Sequence, residues 1–252
     1  MQYGFGSGSL WAIPTHTIAG VAITNPTPVP FAGLQEGSVE FSGNVKELYG
    51  QYQFPLITMP GHKKITGKSK FGQISGAALN VFFGETPATG EIKVAKDEAG
   101  TIPAVAGPYT VTVTNSATWT VDLGVVFTVT GLPLTRVAAN PATGQYSVAA
   151  GVYTFAAADT LLGVKISYVY TAAAAPGQVI TINNNMLGAA LFFKAVLSMI
   201  VQGKHMTFTL NKCISNKLSM ATKGEDFTIP ELDFAAMADD SNVVGTISQY
   251  SA

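Results

Sequence analysis

Ten stretches of this chain alternate Thr, Val, Tyr, Phe or Ile with small or polar residues, and nearly all are bounded by Gly, Pro or Asn. They are residues 38–45, 64–74, 109–114, 125–130, 145–148, 152–155, 164–170, 179–182, 204–213 and 225–233. A period of two places successive side chains on opposite faces of a strand, and β-branched and aromatic residues suit a pleated, half-buried surface. The pattern therefore predicts a mainly β protein. Helix signals are few. Residues 75–83 (SGAALNVFF) have Ser75 as an N-cap, apolar residues at helical spacing and Gly84 as a stop, which predicts one short helix. The apolar run 187–201 reads equally as helix or buried strand.

Composition divides the chain. Between Thr101 and Val164 only Asp122, Arg136 and Asp159 are charged. This segment follows a charged stretch, 93–98, and ends at the linker-like Ala172–Gly177. About seven short strands spaced eight to twelve residues apart fit a small sandwich. The expected organisation is an outer β domain in two pieces, 1–95 and 177–252, with an inserted β domain at 96–176.

Over the whole chain only 12% of residues are charged, 47% are hydrophobic, and 14 basic against 15 acidic residues leave a formal charge of −1. That balance excludes a polybasic nucleic-acid binder and a disordered acidic tail. It is also low for a soluble monomer, which carries about 25% charged residues. Either the surface is polar without charge, or other chains cover much of it. The start, Met1-Gln2-Tyr3-Gly4, lacks the basic and apolar regions of a secretory signal, and the most apolar run, 189–201, is short and interrupted by Lys194. Synthesis in the cytoplasm and no membrane span are expected, and a lone Cys213 allows no internal disulfide.

No catalytic, cofactor-binding or metal-binding constellation emerges. His16, His62 and His205 are isolated from one another and from Cys213, so zinc-ligand spacing is absent. His205 reads as a strand-surface residue and Cys213 as packing. Gly61 to Ser69 imitates a phosphate loop but places five residues between its glycines where four are needed, and it continues as an alternating strand, not a helix. On that strand Lys64, Thr66, Lys68 and Lys70 share one face, and Ile65, Gly67, Ser69 and Phe71 the other. Gly4-Phe5-Gly6-Ser7-Gly8 follows no strand and reads as part of an N-terminal arm, 1–9. Six of the fifteen acids fall between Glu225 and Asp240, with Lys223 beside them, but they spread over both strand parities, which disfavours a glycosidase dyad.

The remaining feature is an interaction chemistry. Segment 46–63 carries Leu48, Tyr49, Tyr52, Phe54, Leu56, Ile57 and Met59 between Lys46-Glu47 and Lys63. Pro55, Pro60 and Gly61 argue against a regular central strand, so a long apolar loop is expected, either folded over its own core or inserted into a neighbour.

Residues 46–55 (KELYGQYQFP) and 64–71 (KITGKSKF) resemble the N-terminal half of structural proteins of tailed bacteriophages, most nearly the tail tube proteins. Residues 144–148 (GQYSV), 151–159 (GVYTFAAAD) and 164–170 (VKISYVY) are similar to their β-rich middle, and 217–234 (KLSMATKGEDFTIPELDF) to their closing run. The resemblance implies a tail-tube-like β-sandwich or barrel with a flanking helix, assembling as stacked, hexameric rings through which DNA leaves the capsid. It implies tape measure and terminator proteins as partners, transient passage of double-stranded DNA, no cofactor, and a virion location. The 46–63 loop and the 1–9 arm would contact the next ring, and the inserted domain would decorate the outside. Glu36 or Glu40 is expected to offset the Lys64, Lys68 and Lys70 face, within or between subunits, unless that face lies outside the lumen. A capsid decoration protein, a tail terminator and a carbohydrate-binding β protein are the alternatives.

Overall fold

The computed structural model describes residues 8–73, 75–104, 107–172, 177–201, 203–222 and 224–249. Most of the expected arm (1–7), the centre of the linker (173–176) and Lys223 lie outside the described residues. In chain order the strands are β1 (Ser9–His16), β2 (Val29–Pro30), β3 (Leu34–Tyr49) and β4 (Pro55–Phe71). Helix α1 (Gly76–Phe83) follows, then β5 (Ala88–Thr89), β6 (Glu91–Thr101), β7 (Thr110–Thr112), β8 (Trp119–Phe127) and β9 (Thr135–Arg136). The remainder are β10 (Gln145–Ala149), β11 (Val152–Phe155), β12 (Gly163–Ala172), β13 (Gln178–Val179), β14 (Phe192–Val201), β15 (Lys204–Ser219), β16 (Glu231–Met237) and β17 (Gly245–Gln249). The protein is mainly β, in several sheets, none closed into a barrel.

The chain forms two compact units, one of Met1–Pro87 with Ile180–Ala252 and one of Ala88–Val179. The expected first joint, 95/96, falls inside β6. That strand belongs wholly to the second unit because it pairs with β12 from Glu91 to Thr101.

In unit 1 an antiparallel sheet runs β2-β1-β14-β15-β16-β4-β3, and β17 is added on β15. β15 is long enough to hold β17 over 206–210 and β16 over 212–219 on the same side. The sheet curls strongly: a β-carbon at Gly37 of β3 would lie 3.3 Å from Leu197 Cδ1 on β14, although three strands separate the two in the ladder. Its inner face carries the core, with Leu10, Phe71, Phe193, Leu197, Leu232 and Phe234 buried. Helix α1 closes against it through Ala78 and Val81. Ser75 Oγ accepts from the Ala78 N–H at 3.1 Å, Gly84 takes the left-handed conformation (φ 71°) to end the helix, and Ser215 Oγ on β15 donates to the Val81 carbonyl.

The ambiguous run 187–201 resolves as strand from Phe192 onward, and residues 187–191 are irregular. Phe193, Ala195 and Leu197 alternate inward between β1 and β15, which both need a partner there. The expected strand at 225–233 begins only at Glu231, after the buried Pro230, and of 179–182 only Val179 is strand.

In unit 2 a three-stranded sheet (β6-β12-β8) and a four-stranded one (β7-β11-β10-β9) share one core of Val125, Val164, Ile166 and Tyr168 against Val113, Tyr146, Tyr153 and Phe155. Two carboxylates tie the layers, the buried Asp122 side chain and the half-buried Glu98. Asp122 accepts from Tyr146 Oη (2.7 Å), Tyr153 Oη (3.0 Å) and the Gly124 N–H (3.1 Å). Burial, reinforced by this carboxylate, raises both phenols well above their usual range. Glu98 accepts from Tyr168 Oη (2.6 Å) and from the N–H and Oγ1 of Thr114 (both 2.8 Å). The short β5–β13 pair joins the first and last residues of the unit.

Candidate functional site

Segment 46–63 is not a loop. β3 and β4 form one antiparallel hairpin paired from Leu34↔Phe71 out to Tyr49↔Pro55, so only residues 50–54 turn. The prolines are accommodated by position. Pro55 opens β4, where a strand needs no preceding ladder bond, and Pro60 lies opposite Val45 beside a bulge between Gly43 and Val45. β16 covers the other side of β4 only as far as Ile65↔Ala236, so beyond that point no strand requires an N–H from Pro60.

All seven apolar residues named from sequence are exposed on this hairpin, the extremes being Phe54 at 80% and Ile57 at 49%. Register places Leu48 opposite Ile57 and Lys46 opposite Met59, so Leu48, Ile57 and Met59 share a face. Tyr49 lies on the other face with Glu47, to which its hydroxyl donates, and Tyr52 and Phe54 occupy the turn. Phe41 and Val45, exposed farther down β3, and Ile182, Met186 and Leu187, exposed in the segment before β14, were not singled out from the sequence. The last three were hidden because they adjoin an apolar run that reads as core.

Nearer the body the same two strands carry charge. Glu36 on β3 stands opposite Lys70 and binds it at 2.5 Å. This hydrogen bond, then the charge of Lys70, lowers the Glu36 carboxyl below its ordinary value, and Glu36 raises Lys70 in turn. Glu40 stands opposite Thr66, between Lys64 and Lys68, and among the described residues makes no ion pair with either. The acids that do face the lysines came from the C-terminal segment: Glu231 stands opposite Lys70 and Asp233 opposite Lys68, and Lys217 on β15 reaches both acids, at 3.6 and 4.0 Å. Charge thus runs in stripes along the strands, negative on β3, positive on β4, negative on β16 and positive on β15. Lys68/Lys70 and Glu231/Asp233 share an i, i+2 spacing, which lets them face each other once the register is set, but the spacing alone does not name the partners.

His16, edge-on to Phe192, His62 and His205 remain apart, the last two exposed, and among the described residues no group of three or more His, Cys, Asp or Glu is placed to hold a metal. Cys213 is buried, and burial pushes its thiol up to about 12. A polar cleft of about 390 Å³ beside His16 holds Lys194 and Lys212 but also Asp239 and Asp240, so its charges cancel. Glu225 precedes β16 and is exposed, whereas Glu231 is engaged by Lys217. No helix among the described residues is long and apolar enough to cross a membrane. No protein-family model and no curated protein matches the chain in sequence.

Proposed function

We propose that this chain is a virion structural protein of the tail tube type, which associates with copies of itself into stacked, hexameric rings and lets double-stranded DNA pass without sequence-specific binding. The observation that carries the reading is the hairpin: seven large apolar side chains exposed, five on its paired strands and two in its turn. Each offers roughly 200 Å² and stands about two-thirds exposed, so over both faces and the turn they present on the order of 900 Å², and a neighbour that enclosed the hairpin would bury close to the ~800 Å² per partner of a standard interface. Apolar exposure of this size on a chain with 12% charged residues is accounted for by association.

Two further features support it. Among the described residues the outer edge of β3 has no strand partner, an arrangement that proteins either blunt or fill. Lys70 of β4 is paired with Glu36 and stands opposite Glu231, and Lys68 stands opposite Asp233, while Lys64 faces Ser42, so most of the striped face would pose little electrostatic drag on DNA if it lined a lumen. Tape measure and terminator proteins are the partners this role would bring.

Negative-stain microscopy of the purified chain tests the proposal. Long tubes of uniform width are expected. Monomers, or trimers alone as a decoration protein would give, overturn it.

A further inference from the structure

Unit 2 carries a cleft of about 420 Å³ at the turn that follows β8. Its walls are almost entirely carbon: Phe127 at the end of β8, Val129 and Leu132 from the turn, and Leu162 before β12. The one charged residue of the lining, Asp159, is buried and engaged by the Gly144 N–H at 2.8 Å, so the cleft offers an occupant no free charge. At the rim Val129 is 91% exposed, Leu161 70% and Leu132 63%. Leu161 holds a left-handed backbone (φ 65°), unfavourable for a residue with a β-carbon, and that strained position leaves its side chain in water beside Leu162. A small ligand seated in the cleft would leave this rim uncovered. A wider partner, uncharged and apolar, covers both.

The hairpin of unit 1 has those properties. From Leu48 to Gly61 it carries no charged residue. The last β16 pair on β4 is at Ile65, so residues 55–64 carry the hairpin about 33 Å farther at about 3.3 Å per residue. At its end Tyr52 and Phe54 are 74% and 80% exposed. A cavity of about 150 Å³ accepts one benzene-sized ring, so the cleft has room for about two, as many as the turn presents. Within one chain these rings stay exposed, so the chain does not fill its own cleft. A contact between unlike surfaces of identical chains is heterologous and propagates into a ring or a filament, which is what the assembly proposed above needs.

Resting on that reading, we propose that the hairpin tip of one copy docks into the unit 2 cleft of another, with Tyr52 and Phe54 entering between Phe127, Leu132 and Leu162. The inserted unit is then part of the assembly contact and not an outer decoration alone.

Cross-linking of the full chain tests the contact. Gln53→Cys, between the two rings, and Thr143→Cys, an exposed residue of the cleft lining, leave every apolar group in place. Assembled from an equal mixture and treated with a short bis-maleimide, these two variants should give a covalent dimer that neither gives alone; Cys213 is buried and does not compete. Two control mixtures should give none: Thr143→Cys with Leu187→Cys, from the other exposed apolar segment of unit 1, and Gln53→Cys with Val94→Cys, exposed on β6. Leu132→Asp should abolish fast-sedimenting assemblies without altering Trp119 fluorescence. Tubes that form without the Gln53–Thr143 dimer, a dimer as abundant in a control mixture or in one variant alone, or tubes of Leu132→Asp overturn the contact and leave the tube reading standing. A wild type that stays monomeric overturns both.

Discussion

Gly67 is the tightest point of the unit 1 core. It sits in the middle of β4 opposite Phe234 of β16, and the phenyl ring lies across its backbone. A β-carbon there would come within 2.1 Å of Cζ, 2.4 Å of Cε2 and 2.7 Å of Cε1. Relief requires the ring to move by at least about 1.4 Å to regain ordinary contact distance. The ring has nowhere to go: Phe234 is 3% exposed and packs edge-on against Phe193, with centroids 5.8 Å apart. Gly67→Ala should therefore incur an overpacking penalty of about 3 kcal/mol, offset by the roughly 0.5–1 kcal/mol that alanine gains over glycine in a strand, for a net loss near 2 kcal/mol. The chain has two tryptophans, Trp11 on β1 of unit 1 and Trp119 on β8 of unit 2, so urea unfolding followed by fluorescence in a Trp119→Phe background reports unit 1 alone. With a slope of about 2 kcal/mol per molar urea, the midpoint should fall by about 1 M. Phe234→Ala by itself should cost about 3–5 kcal/mol. In that background the clash is gone and only the alanine gain remains, so Gly67→Ala should stabilise by roughly 0.5–1 kcal/mol, a coupling of about 3 kcal/mol. A Gly67→Ala variant within about 0.5 kcal/mol of the wild type, or strict additivity of the two substitutions, would refute the reasoning.

Replacing Leu48, Ile57 and Met59 with Ser removes one face of the hairpin. These residues are exposed, so the thermal midpoint of the dispersed chain should move by no more than about 2 °C, while fast-sedimenting assemblies should vanish in the ultracentrifuge; assemblies that persist would count against the hairpin as the contact. In unit 2, desolvation pushes the Glu98 carboxyl up, but the hydrogen bonds from Tyr168 and Thr114 together outweigh it and the net shift is downward. A carboxyl with a depressed folded pKa stabilises above its unfolded value and loses that contribution as pH falls through the folded one. Glu98→Gln should therefore lower unit 2 stability by about 1–2 kcal/mol at neutral pH and converge with the wild type in acid, read from Trp119 fluorescence. Cys213, with its thiol pushed up to about 12 by burial, should resist maleimide in the native chain and react at the rate of unfolding.

The β class and the single helix were legible because both rest on local chemistry. Alternation marks strands wherever one face is buried, and Ser75 and Gly84 supply the caps that end α1. The hairpin was missed because prolines and a glycine are read as breakers, and their harmlessness depends on a bulge and an unpartnered strand edge that only the assembled sheet supplies. β1 and β6 were also missed. β1 pairs with a strand more than 170 residues away, and β6 inverts the usual pattern, with Ile92 and Val94 exposed and Glu91, Lys93 and Glu98 partly buried, so neither shows a clean local pattern. The lysine stripe could be read from its spacing, but the partners at Glu231 and Asp233 could not, since a register between residues 70 and 231 is a tertiary fact.

The small β5–β13 pair bears on how such a chain is made. Unit 1 is discontinuous: β1 must wait for β14, and β4 for β16, until most of the protein has been synthesised. Unit 2 is a continuous run that can fold first as it leaves the ribosome. Once Ala88–Thr89 have paired with Gln178–Val179, a detour of about 90 residues has been reduced to a crossing of a few, which lowers the entropy of closing unit 1 by about 3 kcal/mol. The insertion, folded early and clasped at its base, then speeds the search of the chain that surrounds it, and opening the clasp by placing Pro at Val179 should slow unit 1 folding while leaving its final structure intact.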